Sequence, residues 1–359
     1  MTRIRISEPA FVGNEVAYVT DCLARKQLSA GDYVRRFEAL VAEQSGVRHG
    51  VAMMNGTAAL HAALLALGCG PECEVIVPAT TYIATANAVT YTGATPVFVD
   101  VRPDTWTIDW EAASRAVTER TVGVIPVHLY GVPATIAADL GDLWMLEDAA
   151  EAHGAVAQDG RPVGSLGEAA VYSYYGNKVL ACGEGGMVVT DSTEMAARLR
   201  SIRGQGMSPL RRYVHTSLGY NYRMTELQGA LGLAQAERLA EHVQTRRMLA
   251  LAYRASLPSG ATPLDWPDGS VDWVMPVRVR KRDVVAEMLT LAGIETRPVF
   301  PPLHQQPMYA TGQRLPVAES AGAEGLLLPL HGNMTFEDVG TVCDALADAL
   351  KGASVGLHA

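Results

Sequence analysis

From residue 50 onward the chain alternates short apolar runs with helical stretches, and this alternation limits its fold more than any other feature. Residues 51–54, 74–77, 96–99, 122–127, 143–146, 169–174 and 186–189 read as strands. Between them, 57–67, 83–92 and 109–117 read as helices, the first rich in Ala and Leu and stopped by Gly68. Strands and helices in turn predict a mostly parallel sheet covered on both faces. Ligands of such sheets gather at the loops beyond the carboxyl ends of the strands, so those loops are where chemistry is expected.

Two helices, 15–26 and 34–44, precede the alternation and are joined by a turn at Ser29-Ala30-Gly31-Asp32. After residue 190 the alternation weakens. One long helical stretch covers 224–255, a strand 272–279, a helix 284–293, a proline-rich loop 298–307 and a closing helix 335–351. The expected organisation is a large lobe at 1–235 and a smaller α/β lobe at 236–359, with the long helix spanning the boundary. The 359 residues suffice for two such cores.

A formal charge of −9 argues against general binding to nucleic acid or acidic membranes, though it leaves room for one basic cleft. No run of about 20 apolar residues suggests a membrane span, and Met1–Ala10 does not read as a signal peptide. The five cysteines are scattered, with Cys69 and Cys73 the one close pair and no zinc-type set around them. A cytoplasmic protein with free thiols is expected.

Four segments carry chemistry. Asn55-Gly56-Thr57 follows a strand and opens a helix, where free amides attract an anion such as phosphate; an ordinary capped helix has the same pattern. Ser173-Tyr174-Tyr175-Gly176-Asn177-Lys178 places an amine beyond an apolar strand, suited to Schiff-base chemistry or to a plain surface loop, with the Ser173 hydroxyl five residues upstream. Glu147-Asp148-Ala149-Ala150-Glu151-Ala152-His153 sets acidic groups after a buried strand. There Asp148 could hold a pyridine nitrogen protonated, while Asp148, Glu151 and His153 also form a possible metal set. Tyr82, beyond the strand at 74–77, offers a ring to stack on a flat cofactor or to pack in the core. Together they supply the parts of a pyridoxal-phosphate site, with no metal required.

In order and spacing these segments resemble the DegT/DnrJ/EryC1/StrS family of sugar aminotransferases. The resemblance runs through NGTAALHAAL at 55–64, EVIVPATTYIATANAV at 74–89, ATPVFVDV at 94–101 and IPVHLYG at 125–131. It continues through EDAAEAHGA at 147–155, GEGGMVVT at 183–190 and GYNYRMTELQGALGLAQAERL at 219–239. It implies a fold-type-I, aspartate-aminotransferase-like homodimer with active sites at the subunit interface. By the same resemblance Lys178 carries pyridoxal 5'-phosphate as a Schiff base and then acts as general base. Asp148 pairs with the ring nitrogen, Tyr82 stacks on the ring, and Gly56, Thr57 and Ser173 hold the phosphate, with Asn221 reaching in from the partner. Glu151 stands where many relatives have Gln, and Asn55 where Ser is commoner.

The segment YSYYGNKVLACGEGG at 172–186 is most similar to the perosamine-synthase-like branch, and ETRPVFPPLHQQPMY at 295–309 points the same way. That branch implies transfer from L-glutamate to C4 of a nucleotide-linked 4-keto-6-deoxyhexose such as GDP-4-keto-6-deoxymannose. It puts His304, Tyr309 and Arg223 near the substrate, where a lobe connector and an interface ion pair are equally natural readings. A keto-cyclitol or a dTDP- or UDP-linked keto sugar remains an alternative acceptor. The related dehydratases have His in place of the lysine, so Lys178 favours amino transfer. A non-catalytic sensor on the same fold is the rival of another class.

Overall fold

The computed structural model describes residues 4–136 and 141–355, so the first three residues of Met1–Ala10 lie outside it, as do the last four of the chain. Among the described residues seven strands form the central sheet: β1 (His49–Met53), β2 (Glu74–Pro78), β3 (Thr95–Val99), β4 (Thr121–Val124), β5 (Trp144–Asp148), β6 (Ala169–Ser173) and β7 (Gly186–Thr190). Their order is β1-β7-β6-β5-β4-β2-β3. Only β7 pairs antiparallel with its neighbours, so six strands point the same way and the predicted mostly parallel sheet is present. The strands are apolar because the sheet is covered: Val51, Ile76, Val124, Leu146, Val171 and Val188 are all essentially inaccessible.

The helix Gly56–Ala66 packs on β5, β6 and β7, which aims its N-terminus at the carboxyl edge of the sheet. Its small, apolar sequence is buried nearly all round. Before the sheet, the helix Asp32–Gln44 is started by a distant carboxylate. Buried Glu226 accepts hydrogen bonds from the amides of Gly31 (2.8 Å), Tyr33 (2.8 Å) and Val34 (3.3 Å). A side chain at Gly31 would strike that carboxylate at 2.1 Å, which explains the glycine in the turn.

The expected single helix over 224–255 is two helices, Glu226–Ala236 and Leu239–Ser256. Arg238 breaks them apart with φ −117° and ψ 18°, so the chain changes direction between the two cores. Beyond it lies an antiparallel sheet in the order β10-β11-β9-β8, formed by β8 (Ala261–Pro263), β9 (Met275–Val279), β10 (Arg297–Pro298) and β11 (Gly325–Leu328). Its core joins Leu249, Tyr253, Val277, Leu328 and Leu346 with Ile4 from the start of the chain. The N-terminal segment thus belongs to both halves. Ile4 bonds Gly293 and Glu295 through its backbone, while the Ser7 hydroxyl donates to the carbonyl of Asn177 at 3.1 Å.

Candidate active site

The carboxyl ends of β1, β2, β5 and β6 surround a cavity of about 870 Å³, closed on the far side by Trp273, Arg297 and Phe300. Lys178 projects into it from the loop joining β6 to β7, where its amide closes a turn on the Tyr175 carbonyl at 2.9 Å. Its Nζ donates to Glu151 Oε1 at 3.3 Å and lies 4.1 Å from the centre of the Trp273 ring. Burial raises the Glu151 carboxyl, and the nearby Lys178 ammonium and the Tyr130 amide oppose that rise. The Tyr130 amide donates to the other carboxylate oxygen at 2.7 Å. Tyr130 holds a left-handed φ of 57° to do so, a conformation that costs free energy and persists because the ring is fully packed.

Asp148, the last residue of β5, is buried at the cavity wall. Thr85 Oγ1 donates to its Oδ2 at 2.8 Å, and the Ala150 amide to its Oδ1 at 3.2 Å. Burial pushes this carboxyl up, with the Thr85 hydroxyl holding it partly back. A buried carboxylate in this state is stabilised by a cationic N–H placed opposite it.

Asn55 caps the helix Gly56–Ala66 by accepting from the Ala58 amide at 2.8 Å, which leaves the Gly56 and Thr57 amides to open toward the cavity. A Cβ at Gly56 would lie 3.0 Å from Ser173 Cβ and 3.2 Å from its hydroxyl, so glycine, helix start and Ser173 form one close cradle. Tyr82 stands on the opposite rim, 57% exposed, its ring 5.6 Å from that of Phe300. Anion cradle, buried carboxylate, reachable amine and free aromatic ring suit the phosphate, ring nitrogen, aldehyde and flat face of pyridoxal phosphate.

The cavity therefore gathers Gly56, Thr57, Tyr82, Asp148, Glu151, Ser173 and Lys178. Four other expected residues are not among its lining. Asn221 and Arg223 are exposed, Asn221 forming an isolated bridge with Gly204. His304 is buried instead beside Glu319, Nε2 to Oε1 3.4 Å. The Tyr309 hydroxyl is used up on Asn87 Oδ1 (2.8 Å) and Thr90 Oγ1 (3.0 Å). The proline-rich loop does reach the cavity, but through Pro298, Phe300 and Pro301. The metal alternative fails for a physical reason. His153 stacks on Tyr172 with ring centres 4.3 Å apart, so its ring is committed to packing. Among the described residues no set of three such ligands could hold a metal.

Several lining residues carried no signal of their own in the sequence. Thr85 falls within a predicted helix and Trp273 within a predicted strand. Ser7, Glu295 and Arg297 come from segments far from Lys178 in the chain.

A cleft at the strand ends with a lysine between a carboxylate and an indole, on a mostly parallel α/β sheet, defines a fold-type-I pyridoxal-phosphate-dependent transferase. Three comparisons narrow the class. The model of the DegT/DnrJ/EryC1/StrS aminotransferase family matches residues 10–347. A GDP-perosamine synthase of Caulobacter vibrioides is 43% identical over 98% of this chain and 99% of its own, and one of Escherichia coli O157:H7 is 38% identical over 96% and 98%. The crystal structure of S. venezuelae DesV in complex with a ketimine intermediate superposes with a TM-score of 0.89 at 35% identity, covering 94% of each chain. The chain belongs to the DegT/DnrJ/EryC1/StrS family and is a pyridoxal-phosphate-dependent sugar aminotransferase.

Proposed function

We propose that this protein moves an amino group from L-glutamate to C4 of a nucleotide-linked 4-keto-6-deoxyhexose, with GDP-4-keto-6-deoxymannose as the first acceptor to test. The observation that carries the reading is the Lys178 amine, 3.3 Å from Glu151 in a cavity whose walls also present Asp148 and the Gly56–Ser173 cradle. The likeness to GDP-perosamine synthases over nearly the whole chain supports the choice of acceptor.

Pyridoxal phosphate, when bound, supplies an electron sink that lets the carbon bearing the amino group give up a proton. In this reading the Gly56 and Thr57 amides and the Ser173 hydroxyl bind the phosphate, and Asp148 keeps a proton on the ring nitrogen. Tyr82 covers one face of the ring. Lys178 Nζ would move a proton within each half-reaction, off the donor carbon in the first and onto C4 of the acceptor in the second, and Glu151 Oε1 would face the ammonium while Nζ carries it. Arg297, on the cavity rim and largely exposed, is ion-paired with Glu295 and would exchange that partner to meet an anionic group of donor or acceptor.

The reading includes a homodimer in which Asn221 and Arg223 serve the partner's cavity. Leu210, Tyr213 and Leu218 support it, since they leave large apolar side chains exposed in the loop leading to Asn221. It keeps residues 1–235 as the cofactor lobe and 236–359 as the smaller lobe. Five cysteines, none of them in a disulfide, suit a cytoplasmic setting. Among the described residues no helix is long and apolar enough to cross a membrane.

The test is purified protein with glutamate and a panel of GDP-, dTDP- and UDP-linked keto sugars plus scyllo-inosose, products read by mass and NMR. C4 amination of the GDP sugar is expected. Turnover confined to another member reassigns the acceptor. No turnover, with no borohydride-trapped cofactor on Lys178, would favour the non-catalytic binding module.

A further inference from the structure

We propose that Trp273 is a positioning residue for Lys178, its indole face docking the amine and its N–H fixing the loop that carries it. Two separate contacts support this. Lys178 Nζ sits 4.1 Å from the ring centre, within the range where an indole face attracts a cation. The Trp273 Nε1–H donates at 2.6 Å to the carbonyl of Asn177, the residue immediately before Lys178. One side chain thus grips the lysine at its tip and at its backbone.

Trp273 is itself anchored. Its carbonyl accepts from buried Arg246 at 3.0 Å, and the same nitrogen of Arg246 donates to Leu330 at 2.8 Å. Its ring lies near parallel to that of Tyr130, centres 6.2 Å apart and planes at 19°. Ser7 holds the same Asn177 carbonyl from the N-terminal segment. The indole is therefore not a loose neighbour that the amine happens to meet. A buried indole N–H needs some acceptor, but core packing does not require that the acceptor be the residue before Lys178 or that an ammonium lie on the ring face.

The consequence concerns an amine that must be bonded to the cofactor, released and used again. Released, it is held against the part of the cavity wall formed by Trp273 and Glu151 rather than free to swing within the cavity. Glu151 supplies the charge, and Trp273 supplies a surface that fixes direction without taking the proton. The inference rests on the reading of Lys178 as the working amine.

The experiment treats cofactor-free full-length protein with limiting acetic anhydride at one fixed pH. Acetylation of Lys178 is read by mass spectrometry against that of the exposed Lys351. Trp273→Met should acetylate at Lys178 about three- to tenfold faster, having lost the face that holds the ammonium. Trp273→Phe keeps an aromatic face but loses the bond to Asn177, and its Lys178 rate should fall between those of the wild type and Trp273→Met. Wild-type protein made with singly and doubly fluorinated tryptophan keeps its shape while the ring face becomes less negative, so the Lys178 rate should climb with each fluorine. An unchanged rate in folded Trp273→Met, or a flat fluorination series, overturns the proposal. If circular dichroism shows Trp273→Met unfolded, the fluorination series decides alone. Borohydride trapping of pyridoxal phosphate on wild-type Lys178 tests the underlying reading separately, because the acetylation arms need neither cofactor nor turnover.

Discussion

Glu147 and Asp148 are consecutive carboxylates at the end of one strand, and they face opposite ways into different surroundings. Glu147, fully buried, accepts from the amides of Gly164 (2.9 Å), Leu166 (2.7 Å) and Gly167 (3.1 Å) and from His128 Nε2 (3.0 Å). His128 Nδ1 accepts from the Ala134 amide, so Nε2 carries the proton it gives to Glu147. Asp148 faces the cavity, its side chain hydrogen-bonded by Thr85 and Ala150 among the described residues. The alternation of a strand buries one acid among loop amides and turns the next to the cavity.

Glu147→Gln is therefore a stability mutation. It turns one acceptor oxygen into a donor facing amides that are already donors. The expected loss is about 2–4 kcal/mol, read from urea denaturation of the cofactor-free protein. A midpoint equal to wild type would mean the loop at 163–167 is held by something else.

Asp148→Asn is expected to do the reverse. Burial already disfavours the charged carboxyl, so the neutral amide should leave the cofactor-free melting temperature unchanged or raised. Turnover should fall roughly a hundredfold or more, because in the proposed function this acid would hold the ring proton. Steady-state rates and calorimetry on the same preparation separate the two effects.

Gly56→Ala tests the cradle. The added methyl group would sit 3.0 Å from Ser173 Cβ, tight enough to push helix start and hydroxyl apart. Pyridoxal phosphate should bind about tenfold more weakly or worse, equivalent to about 1.4 kcal/mol, by absorbance titration of the cofactor-free protein.

Lys178→Ala should lower turnover roughly a thousandfold or more while the protein stays folded, because the side chain reaches into open cavity rather than core. The same variant should yield no cofactor adduct after borohydride. Retained activity would contradict the role given to this amine.

Asp272, next to Trp273, gives a pH test of stability. Burial raises its pKa to about 6, with Arg254 at 2.8 Å opposing the rise. The unfolded carboxyl loses its proton near pH 3.9. Between about pH 4 and 6 the folded state thus binds more protons than the unfolded, and stability falls as pH rises. The stability difference between Asp272→Asn and wild type should therefore move in favour of the variant across that window and level off above it. Parallel curves from pH 4 to 7 would show that Asp272 titrates elsewhere.

The seven strands of the central sheet were readable in the sequence to within a few residues, because each is a short apolar run bounded by polar loops. Lys178, Asp148, Gly56 and Ser173 stand at or just beyond the ends of those strands, and the structure brings all four to one cavity. The break at Glu237–Arg238 was not readable, since Ala and Leu continue on both sides and the change of direction is set by packing between two cores. The strands β8 and β11 and the helices Thr193–Arg203 and Pro316–Glu324 also escaped. The two strands are too short for a period to show.

What the sequence by itself determined was the layered α/β sheet, the sheet edge that carries the cavity and the family to which the motifs belong. These follow from local periodicity and from residues close together along the chain. Tertiary structure alone decided which distant side chains meet the amine. Trp273 and Asn177 are 96 residues apart and joined by one hydrogen bond, and Tyr309 and His304 turn into packing instead of the cavity. Such contacts depend on how two lobes close on one another, and no local pattern encodes that distance.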